Sequence, residues 1–383
     1  MNTVTDGAGT SERSASLQKA RAAVMREPRK PFQIEDIEVG APRADEILVR
    51  MVGTGICHSD IVCRDAFPMP TPVVLGHEGA GVVEAVGSGV TSLKPGDHVV
   101  LSFNSCGGCP NCEGHEPAYC YNFMGLNFGG VRPEDNSTPL SKGDEKIFAN
   151  FFGQSSFASY AIARADKAVK VDKQLPLALL GPLGCGIQTG AGAIMNSMKV
   201  RPGRSLAIFG AGAVGLSAVM AAKVIGASQI IVVEPNAARR ELAIELGATA
   251  VVDPKATPDV LARIREVSGG GVAYSLDTTG IPAVIGTAGE VLMPNGLLGM
   301  LGMSAPEAPM PMTIMSLVVR GIGVKAIIEG DSDPQTFIPE LVKLYKDGKF
   351  PFDRLIKTFP FEKINDAIAA SENGSVIKPV VLF

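Results

Sequence analysis

The sequence predicts an α/β chain in two units, a β-rich one followed by a doubly wound parallel sheet, on three observations. From about residue 30 to 185, short apolar runs such as ILVRMV, GAGVVEAVG and DHVVLSF are punctuated by Gly, Pro or Asp, which is the texture of strands. From about residue 200, strand-like and helical patterns alternate, as a parallel sheet with crossover helices requires. A length of 383 residues suits two cores better than one.

Taken in order, the second unit begins with the strand SLAIF, a glycine turn and the helical AVGLSAVMAAKVIG. The strand QIIVV, the helical AARRELAIELG and the strand AVVD follow. A Pro-capped helix is expected after Thr257, a strand over Ala273–Leu276 ending in Asp277, and a further strand over Gly296–Met300; the sheet expected is six-stranded and doubly wound. Beyond Glu329 two helical stretches, near Thr336–Lys346 and Phe361–Ala370, precede the apolar ending VIKPVVLF. That ending needs a sheet to join, so the C-terminal segment is expected to fold back onto the first unit. Residues 1–20, polar and small, are expected to form a flexible tail, and Ser137–Glu145 an exposed loop. The boundaries predicted are 21–187 with 329–383 for the first unit, including a cysteine lobe at about 104–121, and 188–328 for the second.

Thirty-five basic and 39 acidic residues, for a net charge of -4, give no electrostatic footprint for nucleic acid or anionic lipid. The N-terminus lacks the apolar core of a signal peptide, and no apolar run reaches the roughly 20 residues of a membrane span. Seven cysteines, an odd number, argue against a disulfide framework and for a reducing, cytoplasmic location.

Four of those cysteines, Cys106, Cys109, Cys112 and Cys120, fall within one short stretch. Four neighbouring thiolates can close a tetrahedral zinc shell and leave no position for substrate, so this quartet is expected to be structural. A reactive metal would have to draw on the dispersed Cys57, Cys63 and Cys185 and on four histidines. Cys57 lies in GICHSD, His77 in GHEGAG and Cys185 in GCGIQTG, with glycines that permit close backbone approach. Singly, each fits a buried cysteine or a core histidine as well as a ligand.

Gly210-Ala-Gly212-Ala-Val-Gly215 follows a strand and opens a helix, the context in which such a turn cradles a pyrophosphate at a helix N-terminus. A second strand ends in Glu234, 19 residues after Gly215, near the spacing expected for the ribose-binding acid. A carboxylate there favours NAD over NADP, while Arg239 and Arg240 one turn on could soften the preference or serve as solvated helix charges.

With these segments on the page, the chain resembles the zinc-dependent medium-chain alcohol dehydrogenases almost end to end. The resemblance implies a GroES-like β-rich catalytic domain, a Rossmann domain inserted before the C-terminal segment, and a cleft between them. It implies two zinc ions per chain, a catalytic one on Cys57, His77 and Cys185 and a structural one on the quartet. Asp60 would orient the histidine ligand, and Glu78 resembles a carboxylate able to approach the metal, unless it is an ordinary buried ion-pair partner. Thr189 and Val214 would lie near the nicotinamide and Lys378 near the pyrophosphate. Ser59 would take the substrate proton. Many members carry Arg where this chain has His58, and several carry a relay histidine where it has Val62, so weaker cofactor retention and a relay finished by water or ribose are expected. Cys63 is left to pack as a small apolar side chain.

Seven of sixteen phenylalanines fall between residues 103 and 157, which suggests an apolar cleft or, more plainly, core packing. The segments FMGLNFGG and FFGQSSF resemble the branch acting on benzyl, perillyl and geranyl-type alcohols. The expected activity is therefore NAD-linked interconversion of an apolar primary allylic or benzylic alcohol and its aldehyde by a homodimer or homotetramer. Two alternatives are a glutathione-adduct formaldehyde dehydrogenase, for which no clear basic anchor is present, and a non-catalytic zinc-stabilised nucleotide-binding protein.

Overall fold

The computed structural model describes residues 17–383. Two sheets make up the β-rich part. Five strands run in the order Val73–Val74, Gln18–Met25, Gln33–Val39, Leu140–Lys142, Glu145–Ile147. Seven make the second sheet, in which Glu46–Gly55 is central: it pairs antiparallel with Glu78–Val86, with Tyr160–Arg164 and with the C-terminal strand Lys378–Leu382. The C-terminal strand thus returns to the β-rich part, where Val380 and Val381 are fully buried.

Two expectations are corrected. The tail ends before residue 18, since Gln18–Ala20 already belong to a strand whose Ala22, Ala23 and Val24 are wholly buried; the remainder of the expected tail lies outside the described residues. Ser137–Glu145 is not a plain loop. Leu140–Lys142 and Glu145–Ile147 form a hairpin closed by Gly143-Asp144, with Gly143 at φ 58°. Glu35 fastens this hairpin to the sheet, taking Arg26 at 2.6 Å and Lys142 at 2.7 Å, while Arg26 reaches Glu145.

The third sheet has six parallel strands in the order Ala250–Val252, Gln229–Val233, Ser205–Phe209, Val272–Asp277, Leu292–Met300, Gly323–Ala326. This is the doubly wound order whose direction reverses between Ser205–Phe209 and Val272–Asp277, where a crevice opens at the carboxyl ends of the strands. The Ser205–Phe209 strand is buried along its whole length, as a parallel strand covered on both faces should be. The helix expected after Thr257 begins at Val260, where the Asp259 carboxylate, rather than Pro258, caps it by accepting from the Ala262 N–H.

The helix Gly186–Gly192 joins the two parts and packs on the helix Ala213–Ile225. The approach is so close that a side chain on Gly190 would strike the Val214 carbonyl oxygen. Small residues at this crossing therefore fix how near the Cys185 end of one helix lies to the glycine turn of the other.

Candidate functional site

Asp60 organises two of the three dispersed ligand candidates. It sits in the first turn of the helix His58–Asp65, which Cys57 caps, and its carboxylate is buried. Oδ2 accepts from the Cys57 backbone N–H at 2.9 Å; Oδ1 accepts from the Gly76 N–H at 3.1 Å and meets His77 Nδ1 at 2.9 Å. With Nδ1 committed, His77 presents Nε2, and that nitrogen is buried with no hydrogen-bond partner. Phe152 stacks on the imidazole at 4.5 Å between centroids, and Phe151 meets it edge-on at 5.4 Å.

Cys185 enters from the N-terminus of Gly186–Gly192. Its sulfur, the Cys57 sulfur and a His77 ring nitrogen all lie within 4.8 Å of one another. The group fits a zinc ion by its donor set, two thiols and an imidazole with one coordination position left over, and by the orphaned Nε2, which is costly to bury without a partner. The hydrogen bond to Cys185 holds the Cys57 thiol well below the ordinary cysteine range, against burial, and raises Cys185 in turn. Lys378 and His77 add to the fall at Cys57.

Glu78 and Lys378 form a buried ion pair, with Nζ 2.8 and 2.9 Å from the two carboxylate oxygens. Glu78 Oε1 also accepts from the Gly186 N–H at 3.1 Å, and Lys378 Nζ reaches the Ile56 carbonyl at 3.1 Å. Burial pushes the Glu78 carboxyl up while Glu78 and Cys57 outweigh burial to raise Lys378; the two-oxygen contact favours the charged pair. Glu78 here is thus an ion-pair partner that ties the residue after Cys185 to the residue after His77.

A further buried carboxylate, Glu329, is not among the residues that the sequence motifs single out. Glu329 brings Oε1 to 3.6 Å from Cys185 Sγ and Oε2 to 3.2 Å from Gln188 Nε2 and 3.4 Å from Thr189 Oγ1. Burial pushes it up to about 7. Its only local sign is the turn sequence Glu329-Gly-Asp-Ser, which carries no chemistry by itself.

The quartet of cysteines forms a separate cluster, with all four sulfurs within 4.8 Å of one another. Cys106 Sγ and Cys112 Sγ are 3.9 Å apart, close to the edge of about 3.8 Å that a tetrahedron with zinc–sulfur bonds of about 2.3 Å would have. All seven cysteines are free. Cys63 is buried apart from both clusters, and burial pushes its thiol up to about 12.

Beside the three-ligand cluster a cleft of about 800 Å³ runs between the two parts, with Cys57, His58 and Lys378 on one wall and Gly212, Val214 and Glu234 on the other. Gly210 has φ 96°, and a side chain on Gly215 would strike the Gly210 carbonyl, so the first and third glycines serve the turn and its packing. Around Gly212 there is open space on the cleft side, as backbone approach to a phosphate requires. Glu234 is buried and accepts from the Ala211 N–H at 2.7 Å and the Asn236 N–H at 2.8 Å, each oxygen keeping a further lone pair. Arg240 caps the Glu234 carbonyl and pairs with Asp253, whereas Arg239 lines the cleft and bonds the Gly374 carbonyl. Thr189 is half-buried, with its hydroxyl 3.4 Å from Glu329 Oε2. Ser59 Oγ lies 3.8 Å from Cys57 Sγ. The phenylalanines between 103 and 157 do not line the nucleotide cleft; Phe123, Phe128, Phe151 and Phe152 pack on one another, and Phe151 and Phe152 meet His77. Phe152 does so from a left-handed backbone, φ 49°, that bulky residues rarely adopt.

Comparison with known proteins agrees with this geometry. The alcohol dehydrogenase GroES-like domain matches residues 43–173 and the zinc-binding dehydrogenase domain residues 213–347. The chain is 53% identical to geraniol dehydrogenase of Castellaniella defragrans over 95% of its own length and 98% of the relative's. Among solved structures, an alcohol dehydrogenase zinc-binding domain protein from Burkholderia ambifaria superposes with a TM-score of 0.94 at 51% identity, covering 96% of this chain and 100% of that one. Benzyl alcohol dehydrogenase from Acinetobacter calcoaceticus gives 0.93 at 44% identity with the same coverage. The GroES-like and Rossmann architecture, the two cysteine clusters and a relative at 53% identity over nearly the whole length lead to one conclusion: the chain belongs to the zinc-dependent medium-chain alcohol dehydrogenases, which bind NAD(P).

Proposed function

We propose that this protein interconverts apolar primary allylic or benzylic alcohols and their aldehydes, with NAD as hydride partner. The observation that carries the reading is the meeting of Cys57, His77 and Cys185 beside the cleft of the glycine turn. Relatives named as geraniol and benzyl alcohol dehydrogenases support the substrate class. The catalytic unit is proposed as 18–187 with 329–383, starting at the first strand, and the nucleotide unit as 188–328.

When bound by Cys57, His77 and Cys185, zinc supplies Lewis-acid stabilisation of a substrate oxygen, and a second zinc on Cys106, Cys109, Cys112 and Cys120 braces the lobe. The chain's own residues do the rest. Asp60 holds the His77 tautomer so that Nε2 faces the ligand position. Ser59 accepts the hydroxyl proton of the substrate and passes it on; Val62 has no group to receive it, so water or the cofactor ribose completes the path. Gly210, Gly212 and Gly215 accommodate the pyrophosphate, Glu234 the ribose diol, and Thr189 and Val214 the nicotinamide, with His58 and Lys378 near the phosphates. Glu234 favours NAD, and Arg239 on the cleft wall leaves room for some use of NADP.

Assembly of like subunits, as a homodimer or homotetramer, is supported by an exposed apolar face. Ile314, Met315, Val318 and Val319 are 69–81% exposed on the helix Ile314–Arg320, beside the strand Gly323–Ala326 at the edge of the nucleotide sheet. The reduced thiols support a cytoplasmic location. Among the described residues no helix is long and apolar enough to cross a membrane.

Three outcomes are expected. In steady-state assays with NAD, kcat/KM for geraniol and benzyl alcohol should exceed that for ethanol by at least about tenfold, a difference of about 1.4 kcal/mol in transition-state binding; equal values would sink the substrate assignment. Converting His58, exposed on the cleft wall, to Arg should lower the Kd for NADH about tenfold through a permanent charge on the phosphates, and an unchanged Kd in a fluorescence titration would contradict that placement. Val319→Glu should shift the protein to monomer in analytical ultracentrifugation; an unaltered sedimentation coefficient would rule out this face.

A further inference from the structure

The four-cysteine lobe and the three-ligand cluster are separate groups, yet one short turn touches both. We propose that Glu329 is a positioning residue of the three-ligand site and that Tyr119, in the lobe, holds it there. The inference rests on the metal-site reading given above.

The turn Glu329–Asp331 has three consecutive residues in the left-handed region, at φ 50°, 68° and 51°. Two of them are not glycine, so the conformation must be imposed by what grips the turn. On one side the Gly330 backbone lies against Gly192, so closely that a side chain on either would collide with the other. On the lobe side, the Tyr119 hydroxyl donates to Asp331 Oδ1 at 2.7 Å and lies 3.0 Å from the Ala326 carbonyl oxygen. Lys325 completes the grip, its Nζ 2.5 Å from Asp331 Oδ2. Tyr119 immediately precedes Cys120, and its own carbonyl accepts from Asn111 Nδ2 at 2.7 Å, so its backbone is fixed within the cysteine loop.

Held in this way, the turn can direct the Glu329 side chain only inward. Its carboxylate reaches Cys185, Gln188 and Thr189, and Gln188 in turn donates to the Gly184 carbonyl at 2.7 Å and to Ser102 Oγ at 3.0 Å. Glu329 therefore touches a ligand cysteine and the side chain of Thr189 from one buried position. The Cys185 thiol donates to the Glu329 carboxylate, so the position of this carboxylate bears directly on where the Cys185 sulfur points. The arrangement makes the lobe a brace for the reactive cluster, by way of Tyr119, Asp331 and Glu329.

The test uses the full chain with cobalt in the three-ligand site and zinc in the lobe, so that loss of the cobalt–thiolate absorption and release of zinc to a chelator report the two sites separately. Tyr119→Phe and Glu329→Gln are each expected to shift the cobalt band and speed cobalt loss about three- to tenfold, the scale of one hydrogen bond, with lobe zinc retained. The double variant should be no faster than Glu329→Gln alone, because both act on one path. Wild-type cobalt behaviour in either single variant, additive effects in the double, or acceleration confined to the lobe zinc would overturn the inference. A wild-type chain that takes up only one metal would overturn the three-ligand reading together with it.

Discussion

One buried carboxylate, Asp60, holds the candidate site together. It accepts from the backbone N–H of Cys57 and from that of Gly76, and meets the side chain of His77, so the candidate ligands Cys57 and His77 cannot move independently. A second carboxylate does the same for the third ligand: Glu78, next to His77, accepts from Gly186, next to Cys185. Without partners, each of these buried charges would be costly; here Asp60 is surrounded by donors and Glu78 faces Lys378. Removing Glu78 is therefore a change to three segments at once, and the Lys378 charge left uncompensated costs about 3–5 kcal/mol in comparable buried pairs.

The C-terminal strand acquires its meaning from the same network. Lys378 is 300 residues from Glu78 along the chain, and the pair forms only because Lys378–Leu382 joins the sheet beside Gly53–Gly55. The nucleotide sheet is thus inserted in the chain between two pieces of the β-rich part. Gly190 against Val214 and Gly192 against Gly330 leave no slack where the chain crosses between them.

Much of this could be read in the sequence where chemistry forces a local pattern. The doubly wound sheet follows from continuous apolar strands and Gly210, whose φ of 96° few other residues tolerate. The quartet is local, so its clustering needs no fold. Long-range consequences were less legible. Glu329 looks like an ordinary turn acid until the turn is seen wedged between Tyr119 and Gly192. The hairpin at Gly143 was hidden because its strands are short and polar, although Lys-Gly-Asp-Glu between Leu140 and Ile147 carries a two-residue turn signal. Gln18–Ala20 read as tail because their three residues acquire order only by pairing with Ile37–Val39. The phenylalanines between 103 and 157 read equally as a cleft wall or as core packing; Phe151 and Phe152 are buried against the candidate ligand His77.

The central claim is that this chain has two metal centres of different kind, one closed and one open to chemistry. Metal content by mass spectrometry of the native protein, compared with Cys185→Ala, tests it most directly. Two zinc ions per chain, falling to one in the variant while the fold and the lobe metal persist, is the result expected. One zinc in the native protein, or two in the variant, would contradict it.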